Sequence, residues 1–176
     1  MGSETASSIP HLNKGLAEWL WLGPAVFLAH DAEEILTVEG WMRAHAADLP
    51  AVAAPLAGIT TAQFATGVAV LFAGYVLATL HGVRAVKHGR RPWPFLLATG
   101  AFFANGLAHG MQAAWLGGYT PGLVTAILLS LPYGFGVFRA LHNAGIVTPT
   151  NVRWIVAMGM ALQVPLALLA LAAGGL

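Results

Sequence analysis

Residues 16–34 read LAEWLWLGPAVFLAHDAEE, an apolar run that ends in a cluster of ionisable side chains. The apolar part is long and lacks the strict alternation of a strand, which predicts a membrane-spanning helix. On a helix His30, Glu33 and Glu34 are related as i, i+3 and i+4, so they share one face. Asp31 is predicted to point elsewhere. A charged cluster of this kind is costly in lipid unless something balances it.

The composition of the whole chain indicates an integral membrane protein. Of its 176 residues 57% are hydrophobic and only 9% are charged, whereas soluble domains average about 25% charged residues. Helices are the expected spanning elements because they satisfy their own backbone hydrogen bonds. The net charge of +1 predicts no nucleic-acid partner, and the absence of cysteine excludes disulfides and thiolate metal ligands.

Five apolar segments approach the roughly 20 residues that a helix needs to cross a bilayer. They predict spans at residues 16–36, 60–81, 93–116, 121–141 and 152–172. Residues 37–48 mix Trp41 with charged side chains, which predicts a short interfacial helix. The polar residues 1–13 are predicted to be a disordered tail. The expected fold is an all-α membrane bundle of five transmembrane helices in a single domain, residues 14–176.

The basic residues predict the orientation of these spans. Seven of the eight Lys and Arg residues fall on one side if the N-terminus is cytoplasmic and the C-terminus is outside. Only Arg43 falls on the other side. Since positively charged loops stay in the cytoplasm, we expect this topology.

The orientation gives each polar residue a depth in the membrane. At ~1.5 Å per residue, His30 lies about 21 Å along the first span, and Asn105 and His109 lie about 18 and 24 Å along the third. Asn105 and His109 are related as i and i+4, so they share a face. We therefore expect them to meet His30, Glu33 and Glu34 in the outer half of the bilayer. Three further polar side chains are expected at a similar level as supporting residues: Gln63, Gln112 and Tyr119.

An ionised carboxylate at mid-membrane costs about 2.5–3.5 kcal/mol, and two neighbouring ones also repel each other. Three solutions stay open: both acids are protonated, Arg43 folds back over them, or a metal ion lies among them. A metal would take nitrogen ligands from His30 and His109 and oxygen ligands from Glu33 or Glu34. This mixture suits zinc or non-haem iron, as one ion or as two bridged by a glutamate. In the alternative without a site, the acids mark the exit of the helix into water.

Two blocks of the sequence resemble a known family. His30-Asp-Ala-Glu-Glu34 resembles the HXXEE motif that names a group of small bacterial and archaeal membrane proteins. Asn105-x-x-x-His109, followed by Tyr119-Thr-Pro-Gly122, resembles the second block of that family, and the resemblance covers about residues 20–145. It implies a cytoplasmic-membrane protein whose motif suggests metal binding, and it implies no particular reaction.

The leading hypothesis is a membrane-embedded, metal-dependent enzyme that acts on a lipid-like or apolar substrate. Glu33, Glu34 and Asn105 are the candidate catalytic residues. With zinc, a glutamate can act as general base in a hydrolysis, and with iron an apolar chain can be oxidised. One alternative is a metal-free isomerase or cyclase of an isoprenoid that uses buried carboxyl groups as acids. The other is a non-enzymatic subunit that binds or transports protons or metal ions, for which so small a chain would need to form a homo-oligomer.

Overall fold

The protein is described by a computed structural model over residues 14–47, 49 and 54–175. Within these ranges every regular element is helical, which confirms the all-α prediction. The helices are α1 (Lys14–Ala44), α2 (Thr61–Lys87), α3 (Trp93–Leu116), α4 (Leu123–Asn143), α5 (Pro149–Ala161) and α6 (Gln163–Ala173), with a 3₁₀ turn at Ala54–Gly58. The tail predicted to be disordered, residues 1–13, lies outside the described ranges.

Two helices, α2 and α4, are both long and apolar enough to cross a membrane. The pair α5 and α6 is a third candidate if it is counted as one span with a bend of 42°. This is compatible with a membrane protein, but the predicted number of five spans is not confirmed. The other two long helices, α1 and α3, carry most of the polar side chains of the predicted site, and these lower their hydropathy.

The predicted interfacial helix does not exist as a separate element. Helix α1 continues unbroken past Thr37 to Ala44, and residues 45–47 form a turn; Asp48 lies outside the described residues. Two contacts explain the continuation. Val38 is buried in the protein, and the Glu39 carboxylate accepts hydrogen bonds from the backbone N and the Oγ1 of Thr61 at 2.6 and 2.7 Å. The segment is therefore held against the start of α2.

The span predicted at residues 152–172 is broken between Ala161 and Gln163. Pro165 explains the position of the break, since proline has no N–H for the carbonyl of residue i−4 and its ring crowds that carbonyl, here Ala161. Beyond the bend, α6 packs closely on α2: a Cβ added to Gly67 would lie 2.5 Å from the carbonyl oxygen of Ala170. The bend thus brings α6 beside α2.

Helix α4 begins at Leu123, two residues later than predicted. Gly122 precedes it with a φ of 81°, a left-handed conformation that favours glycine. Residues Ala126–Ser130 then form a π-helical turn inside α4. Such turns are rare and frequently occur at functional sites. This irregular start places Thr125 opposite α1, where the candidate site lies.

Candidate metal centre

Side chains from α1 and α3 meet in a buried cluster of His30, Glu34 and His109. One potential ligand atom from each lies within 4.8 Å of the other two. The two histidines are 0% and 5% exposed, and their rings are 5.0 Å apart between centroids. His109 Nε2 lies 2.9 Å from Glu34 Oε1. Of the four predicted metal ligands, the structure brings these three together.

Glu33, the fourth predicted ligand, faces the start of α4 instead. Its Oε2 accepts hydrogen bonds from Thr125 N at 2.7 Å and Thr125 Oγ1 at 2.6 Å, and its Oε1 accepts from Val124 N at 3.3 Å. These amides are the second and third of α4, so Glu33 occupies the position of an N-cap supplied by another helix. The Tyr119 hydroxyl also donates to Glu33 at 2.8 Å. Partial burial raises the pKa of Tyr119 above its ordinary value, so this hydroxyl keeps its proton.

Thr125 links Glu33 to His30. Its Oγ1 lies 2.9 Å from His30 Nδ1 as well as 2.6 Å from Glu33 Oε2. A hydroxyl has one proton to give, and the carboxylate can only accept it. The Nδ1 of His30 therefore donates to Thr125, which leaves a free lone pair on Nε2. Outer partners fix the tautomer of metal-binding histidines in this way.

Asn105 lies between the two histidines. Its side-chain nitrogen is 3.2 Å from His30 Nε2 and 3.1 Å from His109 Nε2. An amide NH₂ carries two protons, so without metal it can donate one to each imidazole lone pair. A metal ion bound by the two Nε2 atoms would replace both hydrogen bonds, because each Nε2 has a single lone pair.

The short contact between His109 and Glu34 needs a proton or a metal ion between the two atoms. If His109 Nε2 carries a proton, it donates to Glu34 Oε1 at 2.9 Å and no longer accepts from Asn105; if it carries a lone pair, that lone pair and the carboxylate oxygen repel unless an ion lies between them. His109 Nδ1 is buried without a hydrogen-bond partner in the described part of the chain, and such an atom is unusual in a folded protein. The cluster is therefore incomplete as a set of hydrogen bonds.

Two histidines and one glutamate are the ligand set of a catalytic zinc site that keeps an open position. Zinc binds such atoms at about 2.0–2.2 Å in a tetrahedral arrangement, so two ligand atoms of one ion lie about 3.3–3.6 Å apart. Ligand atoms separated by up to 4.8 Å would need to move together by up to about 1.5 Å. The residues fit one ion; the described residues do not supply a second such group.

The loop before α4 closes over the Glu34–His109 pair. A Cβ added to Gly122 would lie 2.8 Å from both Glu34 Oε1 and His109 Cε1. Glycine is required at this position for two reasons: the backbone has a positive φ, and a side chain would collide with Glu34 and His109. The glycine at the end of the second motif thus forms one wall of the cluster.

A cavity of about 500 Å³ adjoins the cluster, with walls from α1, α2, α3 and α6. Most of its lining is apolar, and its polar lining includes Asp31, Glu34, Asn105, His109 and Gln112. The prediction that Asp31 points elsewhere was wrong. Asp31 is 5% exposed, lines the same cavity and interacts electrostatically with Glu34. Asp31 and Glu34 are three residues apart and therefore share a helix face, and this spacing is the sequence signal that indicates their common position.

The predicted supporting residues have separate positions. Gln63 forms a capping box with Thr60 at the start of α2, accepting from the Thr60 backbone N at 3.0 Å. Gln112 lines the cavity, and Tyr119 contacts Glu33. Arg43 does not fold over the cluster, since it pairs with Glu39 at 2.5 Å. Sequence reasoning missed Thr125, because nothing local marks a threonine that meets His30 from 95 positions away.

A family model described as protein of unknown function with HXXEE motif matches residues 21–137, which is more than half of the chain. The chain belongs to this family, and the resemblance drawn from its two motifs is confirmed. Comparison with the curated proteins and with the solved structures gives no match.

Proposed function

We propose that the protein is a membrane-embedded, metal-dependent enzyme that acts on an apolar, lipid-like molecule. The observation that carries this proposal is the convergence of His30, Glu34 and His109 beside a largely apolar cavity of about 500 Å³. Intramembrane ionisable residues are functional by default, because their burial is otherwise costly. The donor set suits one zinc or iron ion.

In this proposal each residue has a distinct role. His30, Glu34 and His109 hold the ion in place of the two hydrogen bonds from Asn105, and the side-chain amide of Asn105 is then free to contact the substrate or water. The bound ion would polarise an oxygen of the substrate or of water. Glu33 acts through Thr125 and is a positioning residue, so the catalytic roles first assigned to both glutamates pass to Glu34. Asp31 shares the cavity with Glu34 and is the nearest further carboxyl group.

Metal content tests the proposal directly. We expect about one equivalent of zinc or iron in detergent-purified wild type. Glu34→Gln should lose this metal, because an amide is a poor substitute for a carboxylate ligand. Glu18→Gln is the matched control, since the side chain of Glu18 is 67% exposed and pairs with Lys14 at 4.0 Å. Metal-free wild type from zinc- and iron-supplemented cells, or full retention in Glu34→Gln, would contradict the proposal.

A metal-free acid–base enzyme is the second candidate, and Asp31 favours it. Its Oδ2 is buried without a hydrogen-bond partner among the described residues, and its carboxyl group interacts with that of Glu34. Two carboxyl groups in an apolar cavity are a known arrangement for proton transfer to a substrate. Here a proton would lie between Glu34 and His109. Turnover of an isoprenoid that survives a strong chelator would favour this candidate over the metalloenzyme.

For the membrane placement we propose five spans, counting α5 and α6 as one, with a cytoplasmic N-terminus and an external C-terminus. The charge bias and the exposed apolar side chains, among them Leu77 and Phe135, support it. Since the chain has no cysteine, single cysteines at His88 and Gly118 report the two sides. An impermeant thiol reagent should label position 118 in intact cells and position 88 only after lysis. The reverse pattern would contradict the orientation.

A further inference from the structure

We propose that the cavity selects a molecule with a long apolar chain and a polar end that donates a hydrogen bond and carries no negative charge, as in a fatty or isoprenoid alcohol. This inference rests on the proposed function, because it takes the cavity as the substrate site. It concerns the chemistry of the polar end, which the cluster itself does not specify.

The first observation is the charge of the lining. Asp31 and Glu34 line the cavity, and none of its lining residues in the described part of the chain is Lys or Arg. The nearest basic residue along α1 is Arg43, and it pairs with Glu39. A phosphate or carboxylate end would be buried beside two acids without a counter-charge, which is strongly unfavourable in an apolar site.

This penalty for an anion concerns the protein without metal. An ion held by His30, Glu34 and His109 would keep a positive charge that Glu34 alone does not balance, and an anion could bind to it. The preference for an uncharged hydroxyl is therefore expected of the metal-free protein.

The second observation is a buried acceptor without a donor. Asp31 Oδ2 has no hydrogen-bond partner within the described ranges, although Asp31 is only 5% exposed. Thr120 Oγ1, from a second lining residue, is also buried and unpartnered. Buried polar atoms are normally paired, so these two match a ligand group that can donate and accept. A hydroxyl does both.

The third observation is the path for an apolar chain. The volume of about 500 Å³ lies within the usual range of ligand sites, about 300–1,000 Å³. Phe27, Phe102 and Leu166 are among its apolar walls. The lining extends to Val70 on α2 and Leu169 on α6, which are 42% and 50% exposed. An apolar chain can therefore enter sideways from lipid between these helices.

The test compares three probes of equal chain length: 1-dodecanol, dodecyl phosphate and dodecanoate. Metal-free wild type, prepared with a strong chelator, is titrated with each probe in lipid nanodiscs, and binding is read from the rise in melting temperature. We expect dodecanol to bind at least about tenfold more tightly than either anion, because the anions leave a buried charge unpaired. Equal or tighter binding of an anion would overturn the inference.

Gly74→Leu locates the binding in the cavity. Gly74 lines it, and a Cβ added there meets no atom within 4 Å, so a larger side chain can occupy the space without a clash. Gly40→Leu is the matched control, since Gly40 is also helical and unobstructed but does not line the cavity. Gly74→Leu should lose the response to dodecanol, and Gly40→Leu should keep it. An unchanged response in a folded Gly74→Leu protein would contradict the inference.

Metal content measured on the same preparation before chelation separates the two proposals. Dodecanol preference in a protein that binds no metal supports this inference and contradicts the proposed metalloenzyme. Metal binding before chelation together with preference of the metal-free protein for an anion does the reverse.

Discussion

The protein contains two clusters of buried polar side chains, and they differ in how completely they are hydrogen-bonded. In the tyrosine cluster, Tyr75 OH pairs with Thr99 Oγ1 at 3.0 Å and donates to Tyr133 OH at 3.5 Å. Tyr133 OH donates in turn to the backbone oxygen of Trp19 at 3.3 Å. Every hydroxyl in this series of hydrogen bonds has a partner, and the network joins α1, α2, α3 and α4.

The candidate metal centre is built from three of the same helices, α1, α3 and α4, but its hydrogen bonds are incomplete. His109 Nδ1 and Asp31 Oδ2 are unpartnered within the described residues. A satisfied buried network contributes to folding, whereas an unsatisfied one is costly and persists where a ligand completes it. We therefore expect the tyrosine cluster to be structural and the His/Glu cluster to bind a ligand.

The strongest test of this difference is His109→Leu. We expect metal affinity to fall by more than about 100-fold, because loss of a ligand exceeds the 10–100-fold effect of outer partners. Stability of the metal-free protein should change little, since the substitution removes the unpaired buried Nδ1 together with the Nε2 that contacts Asn105 and Glu34. Metal titration and equilibrium unfolding in micelles check the two parts. A clear loss of metal-free stability would place His109 with the structural cluster.

Thr125→Val removes the hydroxyl between Glu33 and His30 and keeps the shape of the side chain. We expect metal affinity to fall about 10–100-fold, because the tautomer of His30 is no longer fixed. Thr125→Ser retains the hydroxyl and should bind metal like wild type, as measured by competition with a chromogenic chelator. Equal metal affinities of the valine and serine variants would show that the hydroxyl of Thr125 does not contribute to metal binding.

Gly122→Ala tests the wall over Glu34 and His109. A left-handed alanine costs about 1–2 kcal/mol, and its Cβ would also displace the two ligands. Gly117→Ala is the matched control, because Gly117 has a φ of 69° and no neighbour within 4 Å of an added Cβ. Both variants should lose similar stability in thermal unfolding, but only Gly122→Ala should weaken metal binding. Equal metal affinities would contradict the placement of the loop.

Tyr133→Phe tests whether the tyrosine cluster is structural. It removes one hydroxyl from the tyrosine cluster and leaves the Trp19 oxygen without this donor. We expect a loss of about 0.5–1.5 kcal/mol in the free energy of unfolding, the ordinary effect of one hydrogen bond. Metal content should equal that of wild type. Metal loss in this variant would mean that the two clusters are not independent.

The smallest effect concerns Glu39, an acid of α1 outside the predicted spans. Hydrogen bonds from Thr61 lower its pKa below the ordinary value of 4.5. Because the folded-state pKa is the lower one, its contribution to stability is complete above about pH 4.5 and is lost as the pH falls through the lowered pKa. The melting temperatures of wild type and Glu39→Gln should differ at pH 7 and converge in acid. A difference that is independent of pH would contradict this.

The helical class and most of the cluster could be predicted from local patterns of residues. Apolar runs near the length of a bilayer predict helices, and α3 has the predicted bounds, with prolines at its start and Gly117 in a left-handed conformation at its end. The i, i+4 spacing of Asn105 and His109 and the common rise of α-helices placed them at the level of His30. These quantities depend only on local geometry, which is why they could be read in advance.

The role of each acidic residue of α1 depends on tertiary contacts. Glu33 caps α4 and Glu39 holds the start of α2, while Asp31 and Glu34 face the cavity. The choice depends on amide groups 92 and 22 positions away in the chain. Neighbouring carboxylates are chemically equivalent until folding brings helix N-termini to one and imidazoles to the other, and no local pattern contains that information.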